Sequence, residues 1–125
     1  MPKKKVDVNV PNPNAGPPVV VAVMDADSQV HEIWEDKVTG KYQAYSEAGE
    51  LMGWLGYTRE KNVVTIYTTR TEPDYRGQGV ASTLTRKVLD DCREAGVEVD
   101  AACWYAAEFV QRHPMYARMM VNLGF

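Results

Sequence analysis

The chain has 125 residues, of which 45% are hydrophobic and 25% are charged, a composition typical of one soluble globular domain. Its 14 Lys and Arg against 17 Asp and Glu give a net charge of −3, which provides no general attraction to nucleic acid or to an anionic membrane. No apolar run reaches the roughly 20 residues that a membrane-spanning helix requires. A ligand that carries phosphate groups must therefore be held by a local site.

Residues 1–18 are predicted to form a flexible tail. The basic start, residues 1–5, has no apolar stretch directly behind it, so we do not interpret it as a secretory signal. Four prolines between positions 11 and 18 oppose regular secondary structure. We therefore expect a single folded domain over residues 19–125.

Cysteine and histidine usage predicts a reduced protein without a metal site. Two cysteines, Cys92 and Cys103, are too few for a disulfide framework in a chain of this length, so a cytoplasmic location is expected. His31 and His113 have no cysteine or histidine at metal-ligand spacing.

The stretch from residue 19 to residue 70 predicts a series of strands. Val19–Met24 has the composition of an added edge strand, which is able to pair within the chain or with a neighbouring molecule, so the oligomeric state stays open. A short strand is expected within 31–36. Three further strands, at 41–45, 51–58 and 63–70, are joined by short turns and predict an antiparallel meander.

Two features of this meander suggest particular packing. Gly53 and Gly56, inside one strand, indicate a β-bulge or a close approach by another part of the backbone. The aromatic residues of the meander are expected to pack on the sheet, with a lining for an acceptor substrate as the second interpretation. They are Tyr42, Tyr45, Trp54 and Tyr57.

A helix is predicted from Val80 to Ala95, ended by a left-handed Gly96. Apolar residues recur every three or four positions and define the side that faces the sheet. They are Val80, Leu84, Val88, Cys92 and Ala95, and we interpret Cys92 as a small core residue. The opposite, solvent-facing side is assigned Ser82, Thr85, Arg86, Asp90, Arg93 and Glu94.

The remaining chain predicts a strand at 97–102, then a helix after Cys103 and a short terminal helix at 115–120, which Pro114 introduces. Two strands joined through a helix lie parallel with a right-handed crossover. The fold class is therefore α/β (α+β), with a mixed sheet.

The segment between the third meander strand and the helix, residues 71–81, predicts an anion site. The first backbone N–H groups of a helix have no partner within it and carry the positive end of its dipole, so they attract phosphate. Gly77 and Gly79 allow close approach and positive φ. Gly-x-Gly alone is common, and an ordinary turn is the alternative interpretation.

The longer string over residues 72–81 resembles the acyl-CoA signature of the GCN5-related N-acetyltransferases (GNAT), Arg/Gln-x-x-Gly-x-Gly/Ala. Arg76, Gly79 and Ala81 fulfil it. Cys103 and the run Arg112 to Tyr116 that follow it resemble the minimal, YjdJ-like N-acetyltransferase domains. The resemblance covers about residues 30–120 and implies a meander, a central helix after the acyl-CoA loop, and two parallel strands that splay apart.

The resemblance also implies a ligand and site residues. In the family, loop amides hold the pyrophosphate of acetyl-CoA and the pantetheine arm lies along the first splayed strand. By position, the coenzyme residues here are Thr69, Arg70, Thr71, Arg76, Gly77, Gln78, Gly79, Val80 and Ala81. Cys103 corresponds to a candidate nucleophile. A strand end before a helix N-terminus favours a thiolate there, whereas the alternative is a small packing residue.

One departure concerns the general base. Minimal relatives often carry a histidine on the strand before the loop, where this chain has Thr68-Thr69-Arg70-Thr71. Glu72 or a water chain is a replacement that the sequence does not select. We expect His113 to cap its helix and Arg112 to be a solvated helix-end residue, rather than parts of a site.

Three functions follow. The first is an acetyl-CoA-dependent N-acetyltransferase acting on a small-molecule or protein amine that the sequence does not identify. The second is an acyl-CoA binding or sensing module without turnover, favoured by the missing histidine. The third, a nucleotide-phosphate binder, is disfavoured because no Gly-Lys-Ser/Thr follows the glycines.

Overall fold

The computed structural model describes residues 19–20 and 29–122. The predicted tail at 1–18, positions 21–24 of the predicted first strand and the last three positions of the predicted domain lie outside the described residues. Within the described ranges, no helix is both long and apolar enough to cross a membrane.

Within the described residues, seven strands form one mixed sheet whose spatial order is the chain order, β1 to β7. The first five strands pair antiparallel, and β5 pairs parallel with β6, which pairs parallel with β7. The strands are β1 (Val19–Val20), β2 (Glu32–Asp36), β3 (Lys41–Tyr45), β4 (Leu51–Glu60), β5 (Val63–Thr71), β6 (Glu98–Ala101) and β7 (Met120–Asn122).

In the part of the chain that the structure describes, two α-helices connect the parallel strands. Helix α1 (Val80–Ala95) joins β5 to β6, and helix α2 (Trp104–Arg112) lies between β6 and β7. Short 3-10 helices span Pro73–Tyr75 and Pro114–Met119. The predicted meander, central helix and parallel pair are therefore confirmed. The predicted terminal helix at 115–120 is partly wrong, because the segment is a 3-10 helix and Met120 already belongs to β7, which the sequence did not suggest.

Helix α1 covers β3 to β6 and buries a wider surface than the predicted stripe. Thr85 is fully buried rather than solvated, because its hydroxyl donates to the Ala81 carbonyl at 2.8 Å and so needs no water. Ala95 is exposed rather than buried, since it is the last helical residue. Gly96 ends the helix with φ 71°, as predicted. The buried residues of α1 are Val80, Thr83, Leu84, Thr85, Val88, Leu89 and Cys92.

Gly53 and Gly56 both permit close packing, as predicted from their place inside a strand. A Cβ at Gly53 would lie 2.5 Å from the Arg70 carbonyl oxygen and 2.9 Å from Val80, so helix α1 approaches the sheet closely there. A Cβ at Gly56 would lie 2.7 Å from the Tyr67 ring. The β4–β5 register also shifts between Gly56 and Tyr57, which is the β-bulge.

Candidate functional site

A cleft opens where β5 and β6 part. The two strands pair from Val63 with Glu98 to Ile66 with Ala101, and the Cys103 amide then donates to the Ile66 carbonyl at 2.9 Å. Strand β5 continues to Thr71, but in the described part of the chain neither β6 nor α2 pairs with its last five residues. The predicted splayed pair is therefore present.

The β-bulge lies at the start of this divergence. Gly56 is paired with Thr68, and Tyr57 is paired with Ile66, which leaves Tyr67 as the extra residue on β5. A bulge increases local twist and redirects a side chain. Its effect here is to bring the Tyr67 ring over Gly56 and to the cleft, which Tyr67 lines.

The loop between β5 and α1 leaves a run of backbone donors open. Gly77 and Gly79 have φ values of 80° and 75°, in the left-handed region that favours glycine. The Gly79 carbonyl accepts the Thr83 amide and hydroxyl at 3.1 and 2.7 Å, which starts the helix. In contrast, the amides of residues 77–81 have no acceptor among the residues that the structure describes. Open donors at the positive end of a helix dipole attract anions, so this loop fits a negatively charged ligand.

The space in front of the loop is open and positively charged. A Cβ built on Gly77 would meet nothing within 4 Å. Arg70 and Arg76, both exposed, line the cleft, and no Asp or Glu is among its described lining residues. The cleft encloses about 970 Å³, at the upper end of the range for small-molecule sites. The donor set and the charge therefore fit a polyphosphate ligand, although the chain as a whole is acidic.

The predicted coenzyme residues lie in one place. Thr69, Arg70, Thr71, Arg76 and Ala81 line the cleft itself. The other four, at positions 77–80, form the loop and first helical residue between Arg76 and Ala81.

Cys103 lines the same cleft from the opposite strand end. It is the N-cap residue of α2 and is half-buried, and its sulfur lies 3.8 Å from the Thr69 hydroxyl oxygen. The structure therefore brings the predicted nucleophile beside the strand that the resemblance assigns to the pantetheine arm.

The other titratable groups considered from sequence lie apart from this arrangement. His113 ends α2 and stacks on Phe109 with ring centroids 4.0 Å apart, as expected of a capping residue. Arg112 pairs with Glu108 at 3.2 Å on the surface. The Glu72 side chain does not line the cleft. Cys92 is buried in the core, and burial is the main cause that raises its pKa to about 11.

The aromatic residues divide between packing and the cleft. Tyr42 is buried, and its hydroxyl donates to Asp91 at 2.9 Å, while the Tyr57 hydroxyl donates to Glu35 at 2.7 Å. Trp54 instead lines the cleft, in accord with the second sequence interpretation. Tyr67, Trp104 and Tyr105 also line it, and neither Tyr67 nor Tyr105 was predicted there. Trp104 directly follows Cys103, and the sequence named it as a residue that shapes the cleft but did not determine its direction.

Comparison with known proteins identifies a family. A protein-family model described as GCN5-related N-acetyl-transferase matches residues 41–119 of the sequence, which extend from β3 to the end of the second 3-10 helix. This range includes the loop, α1, Cys103 and α2, and is more than half of the chain.

Curated relatives and solved structures show more distant similarity. Protein NATD1 of Bos taurus is 33% identical over 55 residues, which are 44% of this chain and 49% of the relative. Human protein NATD1 is 31% identical over the same length. The chain thus spans about half the length of the curated relatives it matches. The solution structure of a GCN5-like protein from Staphylococcus aureus superposes with a TM-score of 0.54 at 20% identity, covering 66% of this chain and 82% of that one, and shows the shared fold.

Proposed function

The chain belongs to the GCN5-related N-acetyltransferase family, and we propose that it transfers an acetyl group from acetyl-CoA to an amine. The observation that supports this most is the row of amides at residues 77–81, which have no acceptor among the described residues. They border a cleft that has two arginines and no carboxylate in its described lining. These residues fit the pyrophosphate of a coenzyme. Ala81 in the first turn of α1 lines the same cleft as Thr69–Thr71 of β5 and Cys103 after β6.

Each part of the cleft has a separate task in this proposal. The amides of residues 77–81, with Arg70 and Arg76, would hold the phosphates. The free edge of β5 at Thr69–Thr71 would offer backbone hydrogen bonds to the pantetheine amides. Acetyl-CoA supplies the thioester. Together these contacts would fix the position of its carbonyl carbon, which is the contribution of positioning to the rate.

Cys103 is our candidate for the group that receives the acetyl. Its sulfur, as thiolate, would attack the thioester carbonyl carbon, and the carbon–sulfur bond to coenzyme A would break. The expelled thiolate takes up a proton from solvent. A neutral amine would then attack the acetyl-cysteine and lose its proton, which regenerates the Cys103 thiolate. The Thr69 hydroxyl, 3.8 Å from the sulfur, is the nearby polar group that would orient it.

A binding or sensing module without turnover is the second candidate. It is favoured by a specific feature: no histidine and no carboxylate is among the described residues that line the cleft, so no side chain there is an obvious general base. Direct attack of the amine on the bound thioester is the alternative catalytic route.

Two measurements on the purified chain separate these functions. Calorimetric titration with coenzyme A tests binding, and release of the coenzyme thiol from acetyl-CoA across a panel of amines tests transfer. We expect binding together with amine-dependent thiol release. Tight binding without any amine-dependent release would show a binding module, and absence of binding would overturn both candidates.

We also propose a cellular location and a class of acceptor. A reduced, cytoplasmic setting suits a half-exposed Cys103 thiol. The proposed acceptor is an amine carried by a small molecule or by a protein.

A further inference from the structure

The thioester end of the cleft is surrounded by aromatic side chains. Trp54, Tyr67, Trp104 and Tyr105 line it together with Cys103. Trp104 is 75% exposed and Tyr67 is 47% exposed, whereas tryptophan and tyrosine rings are usually largely buried. The other large hydrophobic side chains exposed in the described chain are Val38, Met115 and Val121, and none of these lines the cleft. Exposed aromatic surface is thus concentrated beside Cys103.

The sheet fixes two of these rings in place. The bulge brings Tyr67 out of the regular ladder, and Gly56 leaves the space that its ring occupies. Trp54 lies next to the same space, since its Cζ3 atom is 3.0 Å from the Cβ that Gly56 lacks. A rigid aromatic wall stacks well on another flat apolar group and loses little side-chain entropy when it does so.

The charges near this wall discriminate between kinds of amine. The Lys41 ammonium lies 4.3 Å from the centre of the Trp54 ring, so a cation already occupies one face of that ring. Arg70 and Arg76 are assigned to the coenzyme phosphates, and in the described chain no carboxylate lines the cleft to pair with a further positive charge. A polyamine or a lysine-rich peptide would bring several positive charges to this surface, and these charges would have no carboxylate to pair with in the described lining.

We infer that the acceptor is an amine carried on an aromatic body, with no second positive charge, and that Trp104 and Tyr67 hold this body beside Cys103. This inference rests on the proposed acetyl transfer. It identifies arylalkylamines and arylamines as the substrate class and excludes polyamines.

The test compares amines and variants in the thiol-release assay with acetyl-CoA. We expect kcat/KM for 2-phenylethylamine or tryptamine to exceed that for spermidine by at least about tenfold. Trp104→Ala and Tyr67→Ala are each expected to raise KM for the arylalkylamine about fivefold or more, with coenzyme A affinity unchanged by calorimetry. Trp104→Phe keeps a stacking ring and is expected to restore most of the lost efficiency.

Met115→Ala is the matched control, because Met115 is 59% exposed but lies outside the cleft, and it is expected to leave KM unchanged. A higher kcat/KM for spermidine than for both arylalkylamines would overturn the inference while acetyl transfer stands. An unchanged KM in both alanine variants would do the same. Thiol release that no amine stimulates would instead overturn the proposed transfer, and this inference with it.

Discussion

The two ends of helix α1 carry the same residue in the same conformation, but their backbone amides differ in whether they have a hydrogen-bond acceptor in the described structure. Gly79 precedes the helix with φ 75°, and Gly96 follows it with φ 71°. At Gly96 the amide donates to the Arg93 carbonyl at 3.2 Å, and the Val97 amide donates to Cys92 at 2.9 Å, so the helix end is closed. At Gly79 the amides stay open in the described structure.

The polar side chains near the two helix ends also differ in whether they have partners in the described structure. Near the C-terminal end, a hollow of about 410 Å³ is lined by Tyr42 and Tyr57, whose hydroxyls already donate to Asp91 and Glu35. Near the N-terminal end, Arg70 and Arg76 line a larger cleft that has no described carboxylate in its lining. We therefore expect a ligand at the end of α1 where donors lack described partners, rather than at every hollow in the structure.

The largest expected effect separates the two cysteines. Cys103→Ala should lower amine-dependent thiol release by about 100-fold or more, because it removes the proposed nucleophile, while coenzyme A affinity and stability stay near wild type. Cys92→Ala, in the core, should keep kcat and lower the free energy of unfolding by about 1 kcal/mol. Steady-state kinetics and urea unfolding check both. Near-normal turnover in Cys103→Ala would show direct attack by the amine instead.

The next effect separates the two glycines. Gly79→Val should weaken coenzyme A binding at least about tenfold, because a β-branched residue resists positive φ and its side chain would obstruct the phosphate site. Gly96→Val has a similar φ and open space around its Cβ, so it should reduce stability by about 1–3 kcal/mol and leave binding unchanged. Calorimetric titration of both folded variants is the measurement. Equal affinities would contradict the assignment of the loop.

A smaller effect is expected from the arginines. Arg70→Gln and Arg76→Gln should each weaken coenzyme A binding about three- to tenfold at low salt and less at high salt, because exposed charges are screened. Arg112→Gln is the control, since Arg112 pairs with Glu108 at the end of α2 and does not line the cleft. An equal loss in all three variants would indicate a general charge effect rather than a site.

The smallest effect concerns pH and the closed end of α1. Burial first, and then Asp91, raises the pKa of Cys92 from 9.0 to about 11. The folded state therefore binds the Cys92 thiol proton more tightly than the unfolded state does. The contribution of this thiol to the free energy of unfolding is complete below about pH 9 and is lost as pH rises toward 11. Between pH 8 and 10, wild type should lose about 1 kcal/mol more than Cys92→Ala in urea unfolding. Parallel pH curves would contradict this.

Most of the fold was predictable because each element had a local signal. Such signals depend only on residues that are close in the sequence. Examples are the glycine-rich segment at 77–79, the alternating pattern of the strands and the left-handed Gly96. Strand β7 gave no such signal, because three residues become a strand only by pairing with β6. The burial of Thr85 was missed because its hydroxyl is satisfied by the carbonyl four residues earlier, which an apolar pattern does not register.

The parts of the candidate site that are formed by backbone groups were predictable from the sequence. The parts that depend on the direction of a side chain were not. The loop and the free edge of β5 follow from glycines and strand order. The aromatic wall depends on a β-bulge that leaves Tyr67 unpaired, and on Trp104 lying at the first turn of α2. Neither direction is determined by neighbouring residues in the sequence, so the proposed acceptor class rests on the folded arrangement alone.

The most direct test of the central claim follows the amides at both ends of α1 during one titration. In a ¹⁵N-labelled sample titrated with coenzyme A, the amide signals of residues 77–81 should shift together and saturate at the calorimetric affinity. The signals of residues 93–97, at the closed end, should stay in place. Saturating coenzyme A that leaves the amides of residues 77–81 unmoved would contradict the account.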